Sequence, residues 1–214
     1  MSTTEPKDTR AAALRARILD AARRIVLREG IDALSMRKIA SAIGYSPASL
    51  YLHFEGRDAI ARALGHEGFT QLLASLQPCT EIAEPRVRLH ALAHAYVTFG
   101  FAHPDTYRMM FFLPGEPVIA RVQEEGAPDN LPSHADVAAI EALFVDALAP
   151  VCADPTWLSR ALWALLHGFV AFSFPGPASV PESASLPAID AALDAWLAGY
   201  VRPRAPQNTP ADTT

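Results

Sequence analysis

The sequence predicts an all-α protein of about nine helices, with a small three-helix helix-turn-helix head followed by a larger helical bundle. Apolar residues recur at helical spacing almost throughout 10–201, and no segment alternates as a half-buried strand does. The charge differs between the two parts of the chain. Residues 1–66 hold 11 Lys or Arg and 7 Asp or Glu, whereas residues 67–214 hold 7 Lys or Arg and 16 Asp or Glu. A basic head joined to an acidic body is typical of a protein whose head alone binds a polyanion.

Composition narrows the class of protein further. Half of the 214 residues are apolar, so the chain can bury a core and is not disordered overall. The polar start carries no signal-peptide pattern, and the longest apolar run, 161–174, is shorter than the roughly 18 residues of a membrane span. Cys79 and Cys152 form no Cys-x-x-Cys motif, so neither a disulfide scaffold nor a cysteine zinc site is expected. A cytoplasmic protein without membrane contact is therefore predicted.

Four helices are predicted within the first 76 residues, after a flexible tail at 1–9. Gly30 and Gly44 stand where helices end, because glycine readily adopts the left-handed conformation that closes a helix. Ser35 and the Ser46–Pro47 pair stand where the second and third helices begin, as capping residues. The predicted ranges are about 10–29, 36–43, 46–53 and 57–76.

The remaining chain is predicted to be helical, with loops rich in proline and glycine. Pro104 and Pro155 suit first helical positions, and Ser133 and Asp154 suit caps. The predicted helices are 86–102, 104–112, 134–149, 155–174 and 187–201, with a linker at 78–85 and loops at 113–132 and 175–187. The predicted domains are a head at 10–56, a ligand-binding and dimerisation body at 57–201 whose helix 57–76 connects the two, and a disordered tail at 202–214.

Ala40, Gly44 and Leu50 indicate two short helices that cross at a steep angle. Such a crossing needs a small residue at the contact, a residue tolerant of positive φ in the turn, and an apolar anchor on the second helix. That second helix, 46–53, is too short to be stable alone. It is therefore expected to be a recognition helix that its neighbours hold in place.

Residues 10–64, with SMRKIASAIGYSPASLYLHFEGRDAI at their centre, resemble the amino-terminal domain of the TetR family of transcriptional regulators. Tyr107–Phe111 and Trp163-x3-His167-Gly168 resemble a carboxy-terminal domain of this family, of the Trp-His-Gly type. The resemblance covers about 10–201. It implies a homodimeric repressor that binds double-stranded DNA at a palindromic operator and is released by a small, largely apolar effector.

Twelve positions are expected to contact DNA, most of them where the second and third helices begin. Free backbone amides and the helix dipole favour a phosphate there, and the start of a recognition helix faces base edges. The expected DNA-binding residues are Ser35, Met36, Arg37, Lys38, Tyr45, Ser46, Pro47, Ala48, Ser49, Tyr51, His53 and Arg57. Met36 and Tyr51 are alternatively core residues, and Arg37 and Lys38 alternatively belong to a solvated face. The third helix begins without Arg, Asn or Gln, so the sequence predicts no particular operator.

Two sets of residues are assigned to the body. The last two helices are apolar on more than one face, and the family resemblance implies that they pair with their copies in a dimer. The expected interface residues are Leu158, Leu162, Leu165, Phe169, Leu193, Trp196, Leu197 and Tyr200. The expected effector-binding residues are Tyr96, Phe99, Tyr107, Met110, Phe111, Phe144, Trp163 and His167, each of which is alternatively a plain core residue.

His90 and His94 stand four residues apart on a predicted helix, a spacing that can bind a metal ion from one face. No Cys or carboxylate cluster joins them in the sequence, so ordinary helix histidines are expected, and no metal site, cofactor or enzyme activity is predicted. Two alternatives stay open. One is a helical enzyme or sensor that binds metal through these histidines, and the other is a protein-binding adaptor without an operator.

Overall fold

The computed structural model describes residues 7–112, 132–174 and 181–200, and these ranges contain helices and no β-strand. The nine α-helices of the described residues are α1 (Lys7–Glu29), α2 (Met36–Ile43), α3 (Pro47–Tyr51), α4 (Arg57–Leu76), α5 (Pro85–Ala102), α6 (Pro104–Phe111), α7 (Pro132–Leu148), α8 (Pro155–Ala171) and α9 (Glu182–Tyr200). Short 3₁₀ turns at Ile31–Ala33 and Gln77–Glu81 follow α1 and α4. The predicted all-α class is confirmed. The predicted tail at 202–214 and most of the predicted loop at 113–132 lie outside the described residues.

Two helices begin at least three residues earlier than the sequence pattern predicts. Helix α1 starts at Lys7 and not at 10, because the residues around Ala11 are strong helix formers without a breaker. Helix α9 starts at Glu182 and contains Pro187. The predicted loop at 175–187 is therefore wrong for residues 182–187, which are helical. The amides of Ala184 and Ser185 donate to the Pro181 carbonyl at 3.0 and 3.1 Å, so the first turn forms before the proline. Pro187 lacks the amide that would bond the Ser183 carbonyl one turn earlier, and its ring crowds that carbonyl.

The helices form two compact units. The first holds α1 to α4 as far as Ala74, together with α6 and the start of α7. The second holds α5, the remainder of α7, α8 and α9. None of the helices in the described ranges is long and apolar enough to cross a membrane.

The core of the head is built on one stripe of α1. Ile18, Ala22 and Ile25 are buried there, in one apolar cluster with Ile39 of α2 and Leu50 of α3. A side chain as large as leucine contributes about 1.5–3 kcal/mol when fully buried. The short α3 is therefore held by tertiary packing, because five residues cannot form a stable helix alone.

Helix α4 lies against α6 within the first unit. At Gly65 an added Cβ would approach the Met109 carbonyl oxygen to 2.5 Å, so only glycine permits this approach. The Phe69 and Phe111 rings meet edge to face with centroids 5.3 Å apart. The connecting helix predicted at 57–76 thus packs with α6 in the same unit as the head.

The core of the second unit lies between α5, α7, α8 and α9. Its buried side chains include Leu92, Phe144, Leu162 and Leu193, one from each of these helices. The indole Nε1 of Trp163 donates a hydrogen bond to the Tyr96 hydroxyl at 2.8 Å, which satisfies a buried phenol.

Candidate nucleic-acid interface

The amino-terminal end of α2 is an open set of backbone donors. Ser35 is the N-cap, and its Oγ accepts from the Lys38 amide at 3.2 Å. The first intrahelical bond runs from the Ile39 amide to the Ser35 carbonyl, so the amides of Met36 and Arg37 precede it. Exposed amides at a helix start attract an anion such as a phosphate. Ser35 and Arg37 are both exposed beside them.

Gly44 makes the turn between α2 and α3. Its φ of 74° and ψ of 35° are left-handed, as the sequence predicts, and the Tyr45 amide donates to the Ala40 carbonyl at 3.0 Å. Arg17 of α1 reinforces the turn, because its guanidinium donates to the Ile43 carbonyl at 3.2 Å and to the Tyr45 hydroxyl at 3.4 Å. A cation at a helix carboxyl end is favourable because it meets the negative end of the helix dipole.

Helix α3 presents its first residues to solvent. The Ser46 Oγ accepts from the Ser49 amide at 3.2 Å and lies 2.8 Å from the Ser49 hydroxyl, so the two hydroxyls form one polar pair. Pro47 and Ala48 are exposed next to this pair. The opposite side carries Leu50, which is fully buried.

Arg15 of α1 fixes the end of α3. Its guanidinium donates to the His53 carbonyl at 3.0 Å and stacks 4.0 Å from the centre of the Phe54 ring. Phe54 is buried, whereas Tyr51 is 56% exposed and Leu52 83% exposed. Sequence reasoning missed both Arg15 and Arg17, although their position on the polar side of the α1 stripe is visible in the sequence.

Eleven of the twelve expected DNA-binding residues are exposed or half-buried. The exposed ones are Ser35, Arg37, Tyr45, Ser46, Pro47, Ala48 and Tyr51, and the half-buried ones are Lys38, Ser49, His53 and Arg57. Met36 lies in the head core at 7% exposure, so its side chain is not available to DNA, and only its backbone amide stays an expected contact. The alternative that Tyr51 is a core aromatic is wrong, because its side chain faces solvent.

The basic residues of this surface differ in their charge partners. Lys38 forms an ion pair with Glu29, and the Arg57 Nε lies 3.6 Å from the Asp58 carboxylate. Within the described ranges Arg37 has no ion-pair partner. Arg37 therefore offers the least compensated positive charge among the expected contacts.

The expected effector-binding residues fall in both compact units. In the first unit Tyr107 and Met110 are buried, and the Tyr107 ring lies 4.7 Å from Phe111. In the second unit Tyr96, Phe99 and Phe144 are buried, with Trp163 and His167 half-buried. Burial lowers the pKa of His167 below its ordinary 6.5, so the neutral imidazole is favoured at neutral pH.

The expected dimer residues divide by burial within the single chain. Leu158, Leu162, Leu193 and Leu197 are at most 2% exposed, so they fill the core of their own unit. Leu165, Phe169 and Trp196 are half-buried, and the Tyr200 side chain lies outside the described residues. Trp157 at 60% and Phe172 at 63% are more exposed than Leu165, Phe169 and Trp196.

His90 and His94 are joined by two carboxylates of α9, so the expectation that none joins them is wrong. Asp190 Oδ1 lies 2.8 Å from His90 Nδ1 and 2.7 Å from His94 Nε2. His90 Nε2 lies 3.2 Å from Asp194 Oδ1. Burial raises the pKa of Asp190, but the hydrogen bonds and charges of both histidines outweigh it and lower that pKa overall. About a hundred residues separate His90 from Asp190 in the sequence, so a local sequence pattern cannot reveal the cluster.

The head is thus a helix-turn-helix with an exposed recognition helix, the arrangement of a DNA-binding regulator. Residues 18–64 match the family model described as bacterial regulatory proteins of the tetR family, and residues 89–201 match a tetracyclin repressor-like C-terminal domain. The chain belongs to the TetR family and is a DNA-binding transcriptional regulator, not an enzyme. The resemblance to this family is confirmed, and its Trp-His-Gly subtype stays a prediction.

Relatives and solved structures agree with this family. The chain is 27% identical to an uncharacterized HTH-type transcriptional regulator, YobS of Bacillus subtilis, over 71% of this chain and 74% of YobS. A protein of unknown function from Rhodococcus sp. RHA1 is 26% identical, with a TM-score of 0.65 over 88% of this chain and 96% of that one. The TetR family regulator PfmR from Thermus thermophilus shares the fold at 21% identity and a TM-score of 0.58, over 87% of this chain and all of PfmR.

Proposed function

We propose that the chain is a homodimeric repressor that binds a palindromic operator and leaves it when a small, largely apolar effector binds. The observation that supports it most is the preformed head, in which α2 and α3 present their amino-terminal ends to solvent. The repressor is proposed to act on chromosomal DNA, in the cytoplasm.

The two helix starts have different roles in this proposal. The amides of Met36 and Arg37 hold one phosphate, with the Arg37 guanidinium beside it. Helix α3 enters the major groove, where the Ser46–Ser49 hydroxyl pair reads base edges and Ala48 contacts a thymine methyl group. Hydroxyls discriminate between bases less sharply than Arg or Asn, so the shape of the operator supplies part of the specificity.

Dimerisation is proposed to use the apolar surface that the single chain leaves exposed on and next to α8. Trp157 and Phe172 are both more than half exposed, and Leu165 and Phe169 are half-buried along the same helix. Burying such residues against a second copy removes apolar area from water. A two-fold pair of heads then requires inverted half-sites, about 34 Å apart for one helical turn of DNA.

The effector is proposed to bind among the aromatic side chains of the body. Tyr96, Phe144 and Trp163 supply an apolar lining, and the neutral imidazole of His167 supplies a polar contact. The effector releases DNA by binding more tightly to the conformation whose heads do not fit the operator.

A selection of genomic fragments bound by the purified protein tests the proposal. We expect one inverted repeat to be enriched, and we expect the Tyr51→Ala variant to lose the enrichment, because the exposed Tyr51 belongs to the recognition face. The matched control is Arg86→Ala, which removes an exposed basic residue of α5 outside the head. A folded protein that retains random fragments with equal strength at moderate salt would refute the operator and support the adaptor alternative.

A further inference from the structure

Two pairs of side chains face each other within the second unit. His90 and His94 lie one turn apart on α5, and Asp190 and Asp194 lie one turn apart on α9. Residues four apart share one face of a helix. The two pairs therefore bring two imidazoles and two carboxylates together at one place on the molecule.

Three of these side chains converge on one point. One ligand atom from each of His90, His94 and Asp190 lies within 4.8 Å of the other two. Zinc binds imidazole nitrogen at about 2.0–2.1 Å and carboxylate oxygen at about 2.0–2.2 Å. Tetrahedral ligands at those lengths lie about 3.4 Å apart, so each imidazole must retreat from the Asp190 oxygen by about 0.6–0.7 Å. Partly exposed side chains can make this adjustment through small rotations.

Asp194 contacts the second ring nitrogen of His90, a contact that an ion pair between His90 and Asp190 does not require. Its oxygen lies 3.2 Å from His90 Nε2, the ring nitrogen that does not face Asp190. A hydrogen bond at Nε2 fixes the proton there and leaves the lone pair of Nδ1 directed toward the other two ligands. Ligand histidines in metal sites almost always donate their second ring N–H to a carboxylate, a backbone carbonyl or water, and Asp194 is such a carboxylate.

We propose that His90, His94 and Asp190 bind one divalent transition-metal ion of the zinc class, with Asp194 orienting His90. Solvent completes the coordination, because the His94 and Asp190 side chains are 38% and 41% exposed. Imidazole ligands suit zinc, copper, nickel or iron, whereas magnesium and calcium prefer oxygen ligands alone. The bound ion links α5 to α9, the first and last described helices of the second unit.

The test uses the full-length protein without a histidine tag, stripped with a chelator and titrated with zinc chloride in a calorimeter. We expect one zinc ion per chain. His94→Gln and Asp190→Asn are each expected to weaken binding by tenfold or more, since each removes a ligand. Asp194→Asn is expected to weaken it by about 10–100-fold, the range for loss of an orienting carboxylate. The control, His103→Ala, removes a histidine of the other unit and is expected to bind as the wild type does.

Two further measurements separate lost ligation from lost folding. Circular dichroism shows whether each variant keeps its helices, and zinc is expected to raise the Tm of the wild type by more than that of Asp190→Asn. The proposal is overturned if the wild type binds no zinc, because the four side chains then form an ion-pair network only. It is equally overturned if folded His94→Gln and Asp190→Asn bind zinc as tightly as the wild type. The operator affinity of each variant is measured in parallel. Failure of zinc binding and failure of DNA binding can then be told apart, so the zinc result does not decide the proposed repressor function.

Discussion

Arg37 and Lys38 are adjacent on α2, yet the structure predicts that they contribute unequally to DNA binding. Lys38 already neutralises Glu29, whereas Arg37 has no carboxylate partner among the described residues and is exposed beside the open amides of α2. Arg37→Gln removes a charge that is free to meet a phosphate. Lys38→Gln removes a charge that is compensated within the protein.

The expected magnitude follows from counterion release. Each phosphate neutralised by a protein contributes about 0.9 to the slope of log K against log salt concentration. A dimer carries two copies of Arg37, so Arg37→Gln is expected to reduce the slope by about 1.8. Between about 50 and 200 mM salt, the wild type then loses roughly 12-fold more affinity than the variant does.

Fluorescence anisotropy with a labelled operator fragment, repeated over a salt series, measures this slope. The same series with random DNA is expected to show the same loss, because a phosphate contact is independent of sequence. Lys38→Gln is expected to change the slope by less than half as much. An unchanged slope in Arg37→Gln, or an equal loss in Lys38→Gln, would show that the phosphate does not lie at the start of α2.

Three other predictions concern packing and assembly. Gly65→Ala is expected to lower the free energy of unfolding by about 1–3 kcal/mol in urea melts, because the new methyl meets a backbone carbonyl of α6. Gly68→Ala is expected to cost less, because its methyl meets the side chains of Met110 and Thr106 and not the backbone. Leu50→Ala is expected to cost about 2–5 kcal/mol in the same melts, and a loss below 1 kcal/mol would contradict its place in the head core. Combined Trp157→Ser and Phe172→Ser replacement is expected to shift the protein from dimer to monomer in sedimentation experiments, and an unchanged dimer would place the interface elsewhere.

Local signals in the sequence predicted the head well. Ser35, Gly44 and Ser46 cap or end their helices as predicted, because capping depends on residues that are neighbours in the chain. The helix predicted at 57–76 has those bounds in the structure. Met36 could not be assigned, since its position at the start of α2 fits both an amide donor for DNA and a core side chain.

The body was harder to predict because an apolar stripe does not identify its partner. Leu158 and Leu193 have the pattern expected of an interface, but they are buried within their own chain. Hydrophobic periodicity shows which face of a helix avoids water, and it is silent on whether the same chain or a second copy covers that face. The same limit applies to His90, whose partner Asp190 is brought close by the fold alone.

Helix α1 joins the stability of the head to its DNA-binding geometry. Its buried stripe, which includes Ile18, anchors α3 through the core. Its polar side sends Arg17 to the last carbonyl of α2 and Arg15 to the His53 carbonyl just beyond α3. Both arginines therefore bond near the carboxyl ends of the two short helices, where a cation is favourable, and the amino-terminal ends stay open. The five-residue helix α3, packed against α1 in this way, is already ordered in the free protein. DNA binding therefore does not have to supply the free energy of ordering it.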